Sequence, residues 1–339
     1  MLTTNSRIRI QDAMRSAFPA AEQRVARFYQ MQEYQLGWRN EQLQPASYDP
    51  GKLLRPLLAL LACRAAGGQP EQALPLAAGI QLIHDFSLIH DDIEDNSDTR
   101  RGRPTVWTIW GLAQGINTGD GMFVVAHLAL HQLAERGLPA EVVLEVLKRF
   151  DQTILTICEG QFLDISFEGD LSISEADYLA MISRKTAALV AAAAGLGAIV
   201  GGADQATATA LFDFGQHMGL AFQIQDDVLG IWGDPEVTGK PFAADLYRRK
   251  LSLPVIHALA SSDQRAALAE LYRQSELSDA DVQQVLNILN GTGSRGYTEG
   301  VAAHHHQRSL NALASVAGGD QSALAELRSI SEGLVGRRR

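Results

Sequence analysis

Apolar residues along most of this chain recur every three to four positions, and strand-type alternation is scarce. The runs are Leu53 to Ala66, Leu74 to Glu94, Phe123 to Glu135, Glu141 to Phe167, Glu175 to Val200, Ala206 to Ile231 and Leu253 to Ala260. Each reads as a helix with one or more apolar faces. Start signals agree: Ser172-Ile173-Ser174-Glu175 resembles a capping box, and Asp204 precedes another run. Breakers fall between the runs, at Gly67-Gly68-Gln69-Pro70, Gly102-Arg103-Pro104, Gly137-Leu138-Pro139 and Gly233-Asp234-Pro235. No Pro-, Gly- or Ser-rich stretch is long enough for a linker, and no fixed-period repeat is present. The expectation is an all-α chain, a single-domain bundle of ten or more helices over residues 1–339.

Composition narrows the function classes. Apolar residues make up 46% and charged residues 20%, which suits a soluble globular protein. A net charge of -10 and a pI near 5.4 argue against nucleic acid as a partner. The two cysteines, Cys63 and Cys158, lie in no CxxC pair and read as reduced thiols. The start, Met1 to Arg7, carries no apolar signal core, so a cytoplasmic protein is expected. Ala187 to Ala203 has no charge but is Ala- and Gly-rich and short for a bilayer crossing, so no transmembrane segment is expected. It reads as a buried helix on which Gly197 and Gly201 admit a close neighbour.

Two acid-rich segments interrupt this apolar pattern: Asp91-Asp92-Ile93-Glu94-Asp95 and Gln223-Ile224-Gln225-Asp226-Asp227. Carboxylates in apolar surroundings need a cation. Asp91 and Asp95 are one helical turn apart, and a hard dication with oxygen ligands relieves their repulsion. His84, Ser87, Leu88, Asp91 and Asp95 share one helix face, with an ionic top and an apolar floor. Such a face suits a ligand with a charged head and a hydrocarbon tail.

Cations cluster nearby in sequence. Arg100-Arg101-Gly102-Arg103-Pro104-Thr105 follows the first acidic helix, and guanidinium groups match phosphate oxygens. Lys52 and Arg55 open an apolar helix, where free N–H groups also attract anions. Lys185-Thr186, Thr238-Gly239-Lys240 and Arg248-Arg249-Lys250 surround the second acidic segment in the chain. His304-His305-His306 fans out too widely to hold one ion and reads as a solvated tract; Arg337-Arg338-Arg339 reads as an exposed end.

Taken in order, these elements resemble the trans-polyprenyl (isoprenyl) diphosphate synthases, geranylgeranyl and farnesyl diphosphate synthases among them, most strongly over residues 45–260. The matching motifs are GKxxRP at Gly51 to Pro56, DDxxD at Asp91 to Asp95, RRGxPT at Arg100 to Thr105, Gly160-Gln161, Lys185-Thr186, Phe222-Gln223 with Asp226-Asp227, Gly233-Asp234-Pro235 and Thr238-Gly239-Lys240. The resemblance implies the isoprenoid synthase type I fold, helices around a deep central cavity, and a homodimer. It implies that Asp91 and Asp95, supported by Asp92, hold two magnesium ions on an allylic diphosphate. Asp226, with Asp227, holds a third, and manganese is an alternative metal. Arg100, Lys185, Lys240 and Lys250 contact the allylic diphosphate. Lys52, Arg55, His84 and Arg101 hold isopentenyl diphosphate without metal, and Gln223 and Thr186 line the reacting centre. One position departs from the pattern: the second motif ends in Gly230 where an aspartate is usual.

The implied reaction is ionisation of an allylic diphosphate (dimethylallyl, geranyl or farnesyl), attack by isopentenyl diphosphate, and proton loss. Phe86 and Ser87, five and four positions before Asp91, look most like a geranylgeranyl (C20) synthase; farnesyl (C15) and C25 products stay open. A class I terpene cyclase and a non-catalytic modulating subunit are the alternatives.

Overall fold

The computed structural model describes residues 4–235, 241–261 and 263–335. The chain forms two compact units, each assembled from separate segments. One comprises Met1–Asp151, Ala193–Ala208 and Gly318–Leu324; the other comprises Gln152–Ala192, Thr209–Ala317 and Ala325–Arg339. The all-α expectation holds, and the only strands among the described residues are two residues each.

The first unit holds α1 (Thr4–Ala17), α2 (Ala26–Gln35), α3 (Leu54–Ala65), α4 (Leu74–Glu94), α5 (Val106–Trp110) and α6 (Leu112–Glu135). Helix α4 packs against α1, α3 and α6. Its first half, from Leu74 to Ile83, is buried on every side, as a sequence apolar but for Gln81 requires. Beyond Ile83 only Asp85, Ile89 and Asp92 stay buried, so the helix emerges just where the acids begin. Helix α6 starts at Leu112, well before the run read from periodicity. Its early turns carry Gly115, Gly119 and Gly121, poor helix formers whose weak local signal is overridden by burial of Gly115, Thr118 and Gly119.

The charge-free stretch behaves as expected. Helix α9 (Ala188–Val200) ends in this unit, where Gly197 and Gly201 lie on α3. A Cβ at Gly197 would sit 2.3 Å from the Ala59 carbonyl oxygen, and one at Gly201 would sit 2.4 Å from that of Cys63. Among the described residues, Glu175–Val200 is the one stretch apolar and long enough to cross a bilayer, and 61% of its most apolar window is buried.

The second unit contains α8 (Glu175–Ile182), α10 (Gln205–Trp232) and the later helices Leu253–Ser261, Arg265–Arg273, Asp279–Gly291 and Ser294–Ala314. One core gathers Ile231, Leu246, Val255, Leu268, Tyr272, Val285 and Leu289. Another gathers Tyr178, Ile182, Leu220, Ile224, Leu253 and Ile256. Ser174 caps α8 by accepting from the Asp177 N–H, and Asp177 accepts from the Ser174 N–H, so the box is completed by Asp177. Asp204 caps α10 through the Thr207 N–H at 2.8 Å.

Two readings change. Glu175 to Val200 is not one α-helix: residues Ser183–Ala187 form a π turn between α8 and α9. The histidine tract is only partly solvated, because His305 is half-buried with its Nδ1 3.1 Å from that of His217. Both cysteines are free; Cys63 is buried and Cys158 exposed. Arg337 to Arg339 lie outside the described residues.

Candidate active site

The emerging end of α4 divides its acids by environment. Asp91 is half-buried and Asp95 exposed, one turn apart on the helix. Asp92 points the other way and is 2% exposed. Arg100 grips it with Nε at 2.8 and 3.0 Å from the two carboxylate oxygens and Nη2 at 2.8 Å. Burial raises the Asp92 pKa, and Arg100 opposes that rise.

Arg100 is delivered by a hairpin. Strands β1 (Thr99–Arg100) and β2 (Arg103–Pro104) pair antiparallel around Arg101-Gly102, both with positive φ, 53° and 74°. That is the geometry of a type I′ turn, with glycine supplying the second left-handed position. Arg103 stacks over the rings of Tyr34 and Tyr48 and donates to the Tyr34 and Arg39 carbonyls, anchoring the hairpin. Arg101, at the turn, donates to the Pro50 carbonyl at 3.0 Å, which brings it beside the Gly51-Lys52 loop.

Arg55, His84 and Arg101, three of the four residues expected to hold isopentenyl diphosphate, lie close together, and the loop Arg101 meets carries the fourth, Lys52. Arg55 Nη1 lies 3.3 Å from His84 Nε2. Arginine only donates, so this contact places the His84 proton on Nδ1. Burial, then Arg55, Arg101 and Arg100, hold the His84 pKa well below its ordinary value, so the ring is neutral at physiological pH. Phe86 packs edge-to-face on Phe123 at 5.4 Å and on His90 at 4.8 Å; Ser87 donates to the His84 carbonyl.

In the second unit Asp226 is half-buried and Asp227 is 0% exposed. Lys250 Nζ lies 3.2 Å from Asp227 Oδ1; the Tyr178 hydroxyl and, at 3.4 Å, the Leu253 N–H reach Oδ2. The Gln223 amide is 3.5 Å from Oδ1, and Thr186 donates to Gln223 at 3.0 Å. Burial opposes the Lys250 charge, but Asp227 and Asp245 outweigh it and hold the amine above its usual pKa. Burial, then Asp227, raises the Tyr178 pKa well above normal, so the phenol stays a donor.

The π turn explains the Lys185-Thr186 pair. Lys185 pairs with Asp164 on α7 (Ala140–Ser166) while Thr186 turns to α10. Helix α7 approaches closely because residue 160 is glycine: a Cβ there would lie 2.2 Å from the Lys185 nitrogen. Lys240 lies outside the described residues. Tyr178, Asp164 and Asp245 were not singled out from the sequence. Tyr178 and Asp164 act through partners 49 and 21 residues away, and Asp245 meets Lys250 only because the turn between them folds back; no local pattern marks them.

The acids fit hard dications shared with a ligand. Among the described residues, no three His, Cys, Asp or Glu side chains form a self-sufficient cage. Magnesium needs only one or two carboxylates when phosphate oxygens complete its shell. Asp91, Asp95 and Asp226 suit that role. Asp92 and Asp227, also read from the sequence among the metal ligands, accept hydrogen bonds from protein donors.

The polyprenyl synthetase family profile matches residues 38–289. The chain is 41% identical over 304 residues to a geranylgeranyl diphosphate synthase of Mycobacterium tuberculosis, covering 88% of this chain and 85% of that one. It is 37% identical over 309 residues to a (2E,6E)-farnesyl diphosphate synthase of Mycobacterium bovis, covering 90% and 84%. A crystal structure of a polyprenyl synthetase from Streptomyces coelicolor superposes with a TM-score of 0.88 at 34% identity, covering 97% of each chain. The chain belongs to the polyprenyl synthetase family, and with that membership it is a prenyltransferase. The isoprenoid synthase fold expected from its motifs is the fold it has.

Proposed function

We propose that this protein condenses isopentenyl diphosphate with an allylic diphosphate of dimethylallyl, geranyl or farnesyl type, with geranylgeranyl diphosphate (C20) as its main product. The observation that carries the reading is the Arg55–His84–Arg101 cluster on the same unit as Asp91 and Asp95. A cyclase ionises one diphosphate and has no use for a second anion pocket built without acids. Here neutral His84 and two guanidiniums offer donors to a diphosphate, with Lys52 at the helix entrance.

Magnesium, three ions in all with manganese as substitute, would supply positive charge to the leaving diphosphate when bound to Asp91, Asp95 and Asp226. Asp92 holds Arg100 and Asp227 holds Lys250 in place, and the family resemblance assigns these cations, with Lys185 and Lys240, to the diphosphate's developing negative charge. Gln223 and Thr186, joined by a hydrogen bond, line the allylic carbon's surroundings. The Phe86–Phe123 pair closes the hydrocarbon floor and sets product length.

An exposed stripe on α6, Leu112, Ile116, Val124 and Leu128, recurs at helical spacing and supports a homodimer formed across it. Two free cysteines suit a cytoplasmic setting. The test is incubation with magnesium, isopentenyl diphosphate and each primer, with products sized by chromatography. C20 prenyl diphosphate is expected. Turnover of the allylic substrate without isopentenyl diphosphate would establish the cyclase instead.

A further inference from the structure

The loop that carries Lys52 is gripped from the N-terminal helix by a residue that belongs to none of the motifs. Between Asp49 and Leu53 the chain passes through two left-handed positions, Gly51 at φ 84° and Leu53 at φ 46°. Leucine resists that conformation because its Cβ crowds the backbone, so the turn persists only where its surroundings enforce it. Side-chain packing enforces little. Asp49 and Lys52 are exposed, Pro50 and Gly51 are half-buried, and of these five residues Leu53 alone is buried. One side of the loop borders a cavity of about 350 Å³, walled also by Gln11 and Met14 of α1, Gln81 and Asp85 of α4, and Arg101. Two guanidiniums hold the backbone instead. Arg101 donates to the Pro50 carbonyl at 3.0 Å, and its Nη2 lies 3.2 Å from where a Cβ on Gly51 would stand. Arg7 of α1 donates from Nη2 to the Gly51 carbonyl at 3.0 Å, with its Nη1 3.5 Å from Asp49 Oδ1. Asp49 Oδ1 in turn accepts the Gly51 N–H at 3.1 Å.

We propose that Arg7 is a positioning residue for isopentenyl diphosphate: it fixes Gly51, and through Gly51 the direction in which the Lys52 side chain leaves the loop. Arg7 and Arg101 take consecutive carbonyls, Gly51 and Pro50, one from α1 and one from the hairpin, so the loop is tied from two elements. A planar guanidinium can serve a carbonyl and a carboxylate together, and here the charged donor reaches both the loop's backbone and its Asp49 side chain. Arg7 lies well before residue 38, where the match to the family profile begins. Arg9, two residues further along α1, supplies the contrast, because it pairs with Glu71 rather than with the loop. The kinetic consequence rests on the reading of Lys52 as a holder of isopentenyl diphosphate; the tether on the loop does not.

The experiment compares wild type, Arg7→Ala, Arg7→Lys and Arg9→Ala in the full chain. Amide hydrogen exchange over residues 49–53, without metal or substrate, reads the tether; kcat and the KM of each substrate read its consequence. Arg7→Ala is expected to speed exchange at Gly51 about tenfold, the worth of one charge-assisted hydrogen bond. It should raise the isopentenyl diphosphate KM by a similar factor while the allylic KM and kcat stay near wild type. Arg7→Lys keeps the charge and one donor and should recover part of both losses, and Arg9→Ala should change neither. Wild-type exchange in Arg7→Ala overturns the tether. Faster exchange with an unchanged isopentenyl diphosphate KM, or with an equal rise in the allylic KM, overturns the positioning role. Should Arg7→Ala fail to fold, Arg7→Gln removes the charge but keeps much of the side chain; it should shift exchange and KM in the same direction, and wild-type values there are equally fatal. If wild-type protein makes no prenyl diphosphate, the functional reading fails while hydrogen exchange still decides whether Arg7 ties the loop.

Discussion

The two acidic motifs solve one problem in different ways. At the end of α4 the first and last acids stay accessible, while the middle one, Asp92, is buried against Arg100, eight residues downstream. On α10 the leading acid again stays accessible and the second, Asp227, is buried, but its cation comes from Lys250, and Tyr178 and Leu253 add donors from other elements. The shared logic is that an accessible acid is left facing solvent while a buried neighbour is spent on holding a cation. The difference is locality: a hairpin next door completes the first motif, and distant segments complete the second.

The largest expected effects test whether the first motif carries the greater load. Asp91→Asn should lower kcat about 10³-fold and Asp226→Asn about 10²-fold, since the proposed function assigns two ions to the first motif and one to the second. Steady-state assays at saturating magnesium decide it, and a larger loss for Asp226→Asn would reverse the comparison.

Next come the buried pairs. Arg100→Ala leaves Asp92 with no other side-chain donor among the described residues and should cost about 2–3 kcal/mol, below the full cost of breaking a buried pair because Arg100 is partly exposed. Lys250→Ala should cost only about 1–2 kcal/mol, since Tyr178 and the Leu253 N–H still serve Asp227 and the Lys250 side chain is 41% exposed. Urea titration of both variants measures the gap; equal costs would mean that the extra donors on Asp227 contribute nothing.

Asp85 sharpens the contrast, being a buried acid whose hydrogen bond comes from a neutral group, the Gln81 amide at 2.7 Å. Burial raises its pKa to about 6, against the pull of Gln81 and of more distant arginines. The folded state thus binds this proton more tightly than the unfolded chain does. Stability is lost as pH climbs from the ordinary carboxylate range to about 6, and the loss is complete above it. Asp85→Asn should gain about 1–2 kcal/mol at pH 8 and nothing at pH 4, read from denaturation at both values. The smallest effect on rate is expected at Phe86: Phe86→Ala opens the floor onto Phe123 and should lengthen products by about one five-carbon unit with little change in kcat. Unchanged chain length on chromatography would move the floor elsewhere.

Legibility followed the same divide. Helix α4 was readable to both ends, and so was the convergence of Asp91 and Asp95, because i to i+4 spacing is a local rule. The buried fate of the Ala187 to Ala203 stretch was readable from its want of charge. The π turn at Ser183–Ala187 was not, since a polar Ser183-Arg184-Lys185-Thr186 run also fits the exposed face of an ordinary helix; only the closeness of Gly160 to Lys185 shows what it accommodates. His305 was read as solvated because its partner, His217, is 88 residues away.

Residue order alone thus determined the all-α architecture, the presence of two acid motifs among basic loops, and the chemistry of diphosphate and dication that such groups invite. Those properties depend on periodicity and charge, which act over a turn or two of helix. Tertiary structure alone decided which acid in each motif is buried and which cation holds it. Burial and Coulomb attraction act through space, and the chain brings their partners together only when it packs.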